Sequence, residues 1–421
     1  MQTISPQCRQ SDRADARCRT DAGRRAARTG FCVVSLLAGA AFADDFGSVV
    51  RDSTPIVDVR LRSESVDQSG MSKEADALTL RARLGLETGK VFSTSLLAEG
   101  VALWPMEDRY NSTVNGKTTY PIVADPETYA INRLQLANTS LPGTTLIVGR
   151  QRINLDDQRF VGNSGWRQNE QTFDAAQLIN RSIPHLTFDL VYLNQVNRVF
   201  GSDSPVGRYT GDSYLVNVSY DTPIGKLTAF TYLLDFKQAL TDSTRTTGAR
   251  FAGDRTVSTI KFTYMVSYAD QSEYAHNPLR YREGYYAAEL TGTYRQFSLG
   301  GGFEMLQGDG VKGFTTPLAT YHRFDGWDDK FLTTPANGLE RRYATLGYTA
   351  KSVLGLDSVG LTTVYHDFRS DHLDLHYGSE VDLQVQGKWR RYSGLVKLGD
   401  YSADKFATST RKFWLEVDYV W

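Results

Sequence analysis

Apolar and polar residues take turns along most of this chain. In 77–87, ALTLRARLGLE, the residues Leu78, Leu80, Ala82, Leu84 and Leu86 alternate with Thr79, Arg81, Arg83, Gly85 and Glu87. Segment 57–64 repeats the rule with Val57, Val59 and Leu61 against Asp58, Arg60, Arg62 and Glu64, and 213–220 does so with Tyr214, Val216, Val218 and Tyr220. A period of two predicts strands with one oily and one wet face. The same reading predicts strands over 92–103, 129–137, 145–153, 186–195, 227–236, 285–293, 343–350, 359–367, 380–388 and 392–401. No helical stripe of any length competes with them.

The connections sort into two kinds. Short ones such as 141–144, 181–185 and 221–226 alternate with long polar ones at 105–127, 155–172, 197–212, 237–255 and 307–340. Such alternation means antiparallel neighbours with all elaboration at one end. That is the asymmetry of a bacterial outer-membrane β-barrel, with short periplasmic turns and long external loops. A soluble sandwich also alternates, but its strands are shorter and their apolar faces fill one shared core. The last residues, KFWLEVDYVW, carry Phe413, Leu415, Val417, Tyr419 and Trp421 on one face. In lipid a sheet must close on itself, so this stretch reads as the strand that pairs with the first, with Tyr419 and Trp421 in an aromatic girdle. At roughly 20 residues per strand with its share of connections, the expected count is about 18 strands, with about 16 nearly as compatible.

Composition changes the picture at the amino end. Seven arginines precede the run FCVVSLLAGAAF, which is followed by Ala41-Phe42-Ala43. This reads as a secretory signal peptide over 1–43 with cleavage near Ala43, leaving 44–421 as the barrel. All three cysteines (Cys8, Cys18 and Cys32) fall in this leader, so no disulfide framework is expected in the remainder. Without the leader the net charge is about −5, which gives no basic excess for nucleic acid. No later stretch reaches the ~18 apolar residues of a membrane helix.

Parity also sorts the charges. Arg60 with Arg62, Arg81 with Arg83, and Arg150 with Arg152 are i, i+2 pairs, so each pair is expected on one side of its strand. An arginine facing hydrocarbon at the bilayer midplane costs about 2–4 kcal/mol, so these residues and Arg133 are expected to line the lumen. A cationic lumen focuses a positive potential and favours anions, and guanidinium groups match carboxylates. Alternatively, Asp58, Glu64, Glu87 and Glu99 pair with them in a structural ladder.

Several stretches resemble the alginate export family of outer-membrane β-barrels: GRQRINLDDQRFVGNSGWRQNEQTFDA (149–175), TPLATYHRFDGWDDKFLTTPANGLE (316–340), VYHDF (364–368), GSEVDLQV (378–385) and the closing strand. The resemblance implies an 18-stranded barrel with an arginine-lined, anion-selecting lumen that exports an acidic polysaccharide. The chain looks like a compact relative. In its loops, Arg159, Trp166 and Arg167 combine an aromatic platform with guanidinium groups suited to acidic sugars, and Arg323 and Trp327 of HRFDGW (322–327) fold toward the mouth or pack on the loop itself.

Other classes remain in view. His366, His372 and His376 with Asp367, Asp371 and Asp374 could hold a metal or supply a base, yet the stretch straddles strand, loop and strand, and no HExxH or GxSxG signature stands in the mature chain. A general small-solute porin, a barrel hydrolase and a passive structural barrel are the alternatives to an exporter. No catalytic residue, metal or cofactor is expected. The expected partners are the bilayer with its lipopolysaccharide, the barrel-assembly machinery, anionic saccharides or small anions, and periplasmic export proteins, in the outer membrane of a Gram-negative bacterium.

Overall fold

A computed structural model describes Gly47 and residues 49–421. The signal-peptide reading, its cleavage point and the three cysteines lie outside the described residues. Eighteen strands follow one another: β1 (Thr54–Gln68), β2 (Ala75–Glu87), β3 (Thr94–Arg109), β4 (Thr128–Asn138), β5 (Thr144–Gln151), β6 (Thr172–Asn180), β7 (Leu186–Asn197), β8 (Arg208–Thr222), β9 (Gly225–Leu233), β10 (Thr244–Val257), β11 (Ile260–Glu273), β12 (Arg282–Tyr294), β13 (Phe297–Leu306), β14 (Leu339–Val353), β15 (Leu356–Arg369), β16 (His376–Trp389), β17 (Tyr392–Ala403) and β18 (Thr410–Val420). Each pairs antiparallel with its sequence neighbours, and β18 pairs with β1 from Asp58↔Val420 to Gln68↔Thr410. Closure removes the terminal edges of β1 and β18 that lipid would leave unsatisfied. The backbone N–H of Trp421, just past β18, still donates to the carbonyl of Val57 at 2.9 Å.

Four of these strands have no counterpart in the pattern read from sequence. β10 begins inside a segment expected as loop, because its outward residues Thr247, Ala249, Phe251 and Gly253 carry little apolar contrast. β13 contains Gly300, Gly301 and Gly302, which erase the alternation. In β6 the apolar residues fall on both faces, with Phe173 buried inside and Leu178 exposed outside. β11 does alternate, with Phe262, Tyr264, Val266 and Tyr268 outward.

The outer face is oily between two rings of aromatics. Toward the long-loop end lie Trp104, Tyr129, Tyr192, Tyr214, Tyr268, Tyr286 and Tyr365, all exposed. Toward the short-turn end lie Tyr220, Tyr294, Phe297, Trp389, Tyr392 and Trp421. Cross-strand partners meet at a tilt within each ring, as Tyr268 and Tyr286 do at 5.2 Å between centroids and Tyr392 and Tyr419 at 5.1 Å. These are the girdles of a membrane-spanning barrel.

The interior is less wet than parity alone predicts. Phe160, Phe230, Tyr232, Tyr285 and Phe314 cluster inside, and Phe331 packs on Phe368 and Phe406. Phe160 enters from the connection 152–171, and Phe314 and Phe331 enter from 307–338. The two longest loops therefore fold back into the barrel instead of standing outside it.

Candidate functional site: a constricted lumen

The two inserted loops are bonded to each other across the lumen. Val161 bridges Leu318, Gly162 N–H donates to Leu318 O at 2.9 Å, and Thr320 N–H donates to Gln158 O at 3.1 Å. The approach needs a glycine: a Cβ on Gly162 would lie 2.4 Å from Thr320 Oγ1. Arg159 rivets both loops to the wall. Its Nε donates to Glu304 of β13 at 2.6 Å and its Nη atoms to Asp325 at 3.2 Å. Burial alone would lower the Arg159 pKa, but Asp325 and Glu304 hold it well above its usual value.

Loop 307–338 docks farther along the wall as well, on β16. Gly326, at φ +82°, lies so close to Glu380 of β16 that a Cβ would meet its carboxylate at 2.3 Å, and the N–H groups of Trp327 and Asp328 both donate to Glu380 Oε1. Asp329 gathers three cations or donors: Arg167 Nη2 at 2.5 Å, Lys412 Nζ at 3.0 Å and His322 Nδ1 at 2.9 Å. Burial would raise the Asp329 carboxyl, yet Lys412, Arg167 and His322 together hold it well below the usual range. Burial and the neighbouring Lys397 push His322 well below its usual value, so it is neutral, its Nδ1–H donating to Asp329 and its Nε2 accepting from Lys397 at 2.6 Å.

Trp166 and His322, one from each loop, stack at 4.4 Å with planes 4° apart. Lys397 of β17 lies 4.0 Å from the Trp166 ring and 3.7 Å from the Trp327 ring, while Arg62 of β1 covers Trp166 at 4.1 Å. Trp414 of β18 meets Trp166 edge-on at 5.8 Å. This stack divides the lumen. On the short-turn side a cavity of about 950 Å³ is lined by Arg250, Arg323, Trp327, Arg341, Tyr343 and Lys397 among others; on the long-loop side a smaller one is lined by Arg167, Arg198 and Tyr321. Trp166, Thr320 and His322 line both, so they stand at the constriction between them.

The arginines expected in the lumen occupy one arc of wall, and most point inward. Arg60 meets Asp418 at 2.7 Å, Arg62 meets Glu416 at 2.5 Å and Arg133 meets Glu99 at 2.5 Å, each directly across the strand pair. Arg81 is paired with Asp58, which also meets Arg83 at 3.4 Å, and Arg152 meets Glu170 at 2.6 Å. Arg150 is the exception. It lies across from Leu134 and on the parity of Leu146 and Val148, so it faces outward, bound to Asp174 at 2.7 Å. The pair with Arg152 is split because β5 ends at Gln151 and the chain then turns inward. Among the loop residues, Trp166, Arg323 and Trp327 line the large cavity, whereas Arg159 and Arg167 are buried in ion pairs. The histidines are dispersed: His366 faces Asp382 inside, and His376 lies between Asp367 and Asp404. No group of three metal-ligating side chains forms among the described residues.

Lys397, Trp414, Asp329, Glu304 and Glu380 are absent from the sequence-based expectations. Two of them carried a signal. Lys397 lies between outward Val396 and Leu398, and Trp414 between Phe413 and Leu415, so each occupies a wet-face position.

The docked loop carries its own pH dependence. Burial, then Glu380, pushes Asp328 up to about 8. An acid raised in the docked state contributes most below its free value near 4, and that contribution fades as pH rises toward 8. Lys412 of β18 and the adjacent Lys330 oppose the effect, and Gly399 of β17 packs on the carboxyl without charge. Loop 307–338 is therefore expected to undock more often as pH rises from about 4 to about 8. Open-state fluctuations in single-channel recordings should increase over that range, and Asp328→Asn should flatten the increase.

No family model and no characterised protein sequence matches the chain. Solved structures do. OccK9 (OpdG) of Pseudomonas aeruginosa superposes with a TM-score of 0.69 at 15% identity, covering 89% of this chain and 100% of its own. OccAB4 of Acinetobacter baumannii gives 0.69 at 14%, covering 88% and 98%. OpdK of Pseudomonas aeruginosa, solved with vanillate, gives 0.69 at 13%, covering 87% and 98%. The chain thus has the closed 18-stranded fold of outer-membrane porins. The resemblance to the alginate export family finds no family match beside it.

Proposed function

We propose that the chain is a passive outer-membrane porin for small solutes, with an eyelet that favours ring-bearing carboxylates. The observation that carries this reading is Lys397. Its ammonium lies over Trp166 and Trp327 at the wall of the large cavity and donates to the neutral His322. A cation between indole faces offers a carboxylate its countercharge and a ring its stacking surface. OpdK, of like fold, was solved with vanillate, an aromatic carboxylate, which agrees with this chemistry.

The paired arginines make a weaker contribution to selectivity than their number suggests, because Glu416, Asp418, Asp58, Glu99 and Glu170 already match them. An acidic polysaccharide, implied by the resemblance to alginate exporters, needs a passage as wide as its rings over its whole length. The bonded loops at Val161 and Leu318 favour small solutes instead. The oily belt between two aromatic girdles supports placement in an outer membrane, and nothing in the mechanism calls for a nucleotide or a metal.

Swelling of liposomes containing the barrel tests the reading. Benzoate should enter faster than benzyl alcohol and much faster than benzylamine. Equal rates for the three would reduce the eyelet to an unselective gap.

A further inference from the structure

The barrel wall has a window. β4 pairs with β3 up to Leu103↔Thr128, but with β5 only from Leu134↔Arg150 to Asn138↔Leu146. β5 stops at Gln151 because the chain dives into the lumen, and the next wall strand, β6, pairs with β7 up to Thr172↔Asn197. Residues 128–133 of β4 thus have no strand on their second side. Bare sheet edges are not found facing hydrocarbon. The window sits at the long-loop girdle, beside Trp104, Tyr129 and Tyr192, where headgroups lie.

The gap is a built pocket. Arg150 forms its floor, binding Asp174 through two bonds of 2.7 and 2.9 Å and donating to the unpaired carbonyl of Ile131 at 3.1 Å. Gln195 and Asn197 also bond Asp174, which fixes that carboxylate in place. Loop 198–207 forms the roof, close enough that a Cβ on Gly201 would lie 3.3 Å from Thr128 Oγ1. The space, about 160 Å³, is lined by Asn132, Arg150, Glu170, Asn197, Arg198 and Arg208 among others; Asn132 and Asn197 donate to Glu170 and Asp174, and Glu170 is paired with Arg152. Arg198 is held over Phe200 and Tyr209 at 4.9 and 4.2 Å and donates to Val206 O. Among the described residues neither Arg198 nor Arg208 has a carboxylate partner.

We propose that this window binds the phosphate of a glycolipid headgroup in the outer leaflet. The guanidinium groups of Arg198 and Arg208, without a carboxylate partner among the described residues, converge on this space beside the long-loop girdle, which is chemistry for a multiply accepting anion. The bound headgroup also covers the bare edge of β4. The inference rests on the outer-membrane placement given above.

The test uses the full barrel in phosphatidylcholine nanodiscs with diphosphorylated lipid A, its dephosphorylated form, or inorganic phosphate, read by native mass spectrometry. Retention of the phosphorylated lipid alone is expected, with Arg198→Ala/Arg208→Ala weakening it at least about tenfold. Arg208→Gln alone, which spares the stacking of Arg198, should weaken it in the same direction. Equal retention of the dephosphorylated lipid, displacement by equimolar inorganic phosphate, or unchanged retention in the variants would each overturn the proposal. Conductance is recorded on the same preparations: a barrel that retains lipid but does not conduct contradicts the porin reading alone, and one that conducts without retaining lipid contradicts this inference alone.

Discussion

Arg159→Met should raise single-channel conductance several-fold while leaving the barrel folded. Arg159 is fully buried and bonds Glu304 of the wall and Asp325 of loop 307–338, from its own place in loop 152–171. Methionine keeps the bulk but leaves two buried carboxylates without their shared cation. Removing one member of a buried ion pair costs about 3–5 kcal/mol. Arg341, 3.1 Å from Glu304 and also acting on Asp325, compensates in part. The cost falls on the docked state of the loops, because the hydrogen-bonded wall does not depend on them. Adding Asp325→Asn removes one stranded charge and should return part of the conductance toward the original value. An unchanged conductance in Arg159→Met would mean that the loops are held elsewhere.

The second large effect is expected at Lys397. Lys397→Met retains a flexible apolar stem between Trp166 and Trp327 but removes the only charge placed over both rings. Benzoate uptake by liposomes should fall about tenfold or more, as for the loss of a charge-assisted contact of ~1.5–3 kcal/mol. Uptake of benzyl alcohol should hardly change. His322 then loses the donor to its Nε2 but keeps Asp329 at Nδ1, so the stacked pair is expected to persist. If benzoate and benzyl alcohol fall together, the side chain acts on eyelet width and not on charge.

How much of this was legible beforehand follows from what parity can and cannot encode. Leu78 to Leu86 and Phe413 to Val417 announce an outer surface because lipid demands an unbroken apolar face, and both strands lie where the rhythm places them. Glycine-interrupted β13 and polar β10 escape the rule because their neighbours, not their own residues, fix their pairing. The rhythm also assigns Arg60, Arg62, Arg81 and Arg83 to the inner face correctly, since no bulge intervenes in β1 or before Thr79 onward in β2. It fails at Arg150 and Arg152, where a strand end separates two residues that look like one pair. The eyelet was half visible. Trp166 and Trp327 stand out as aromatics in polar loops, but their meeting with Lys397 and His322 joins positions separated by most of the barrel and follows only from the loops folding inward.

The reversal potential of the reconstituted channel in a potassium chloride gradient tests the central claim most directly. A porin with the Lys397 ammonium at its eyelet should give a potential whose sign reports chloride moving more readily than potassium, reduced toward zero by Lys397→Met. A potential of the opposite sign in the unaltered protein, or a barrel that passes no current under any voltage, would contradict it.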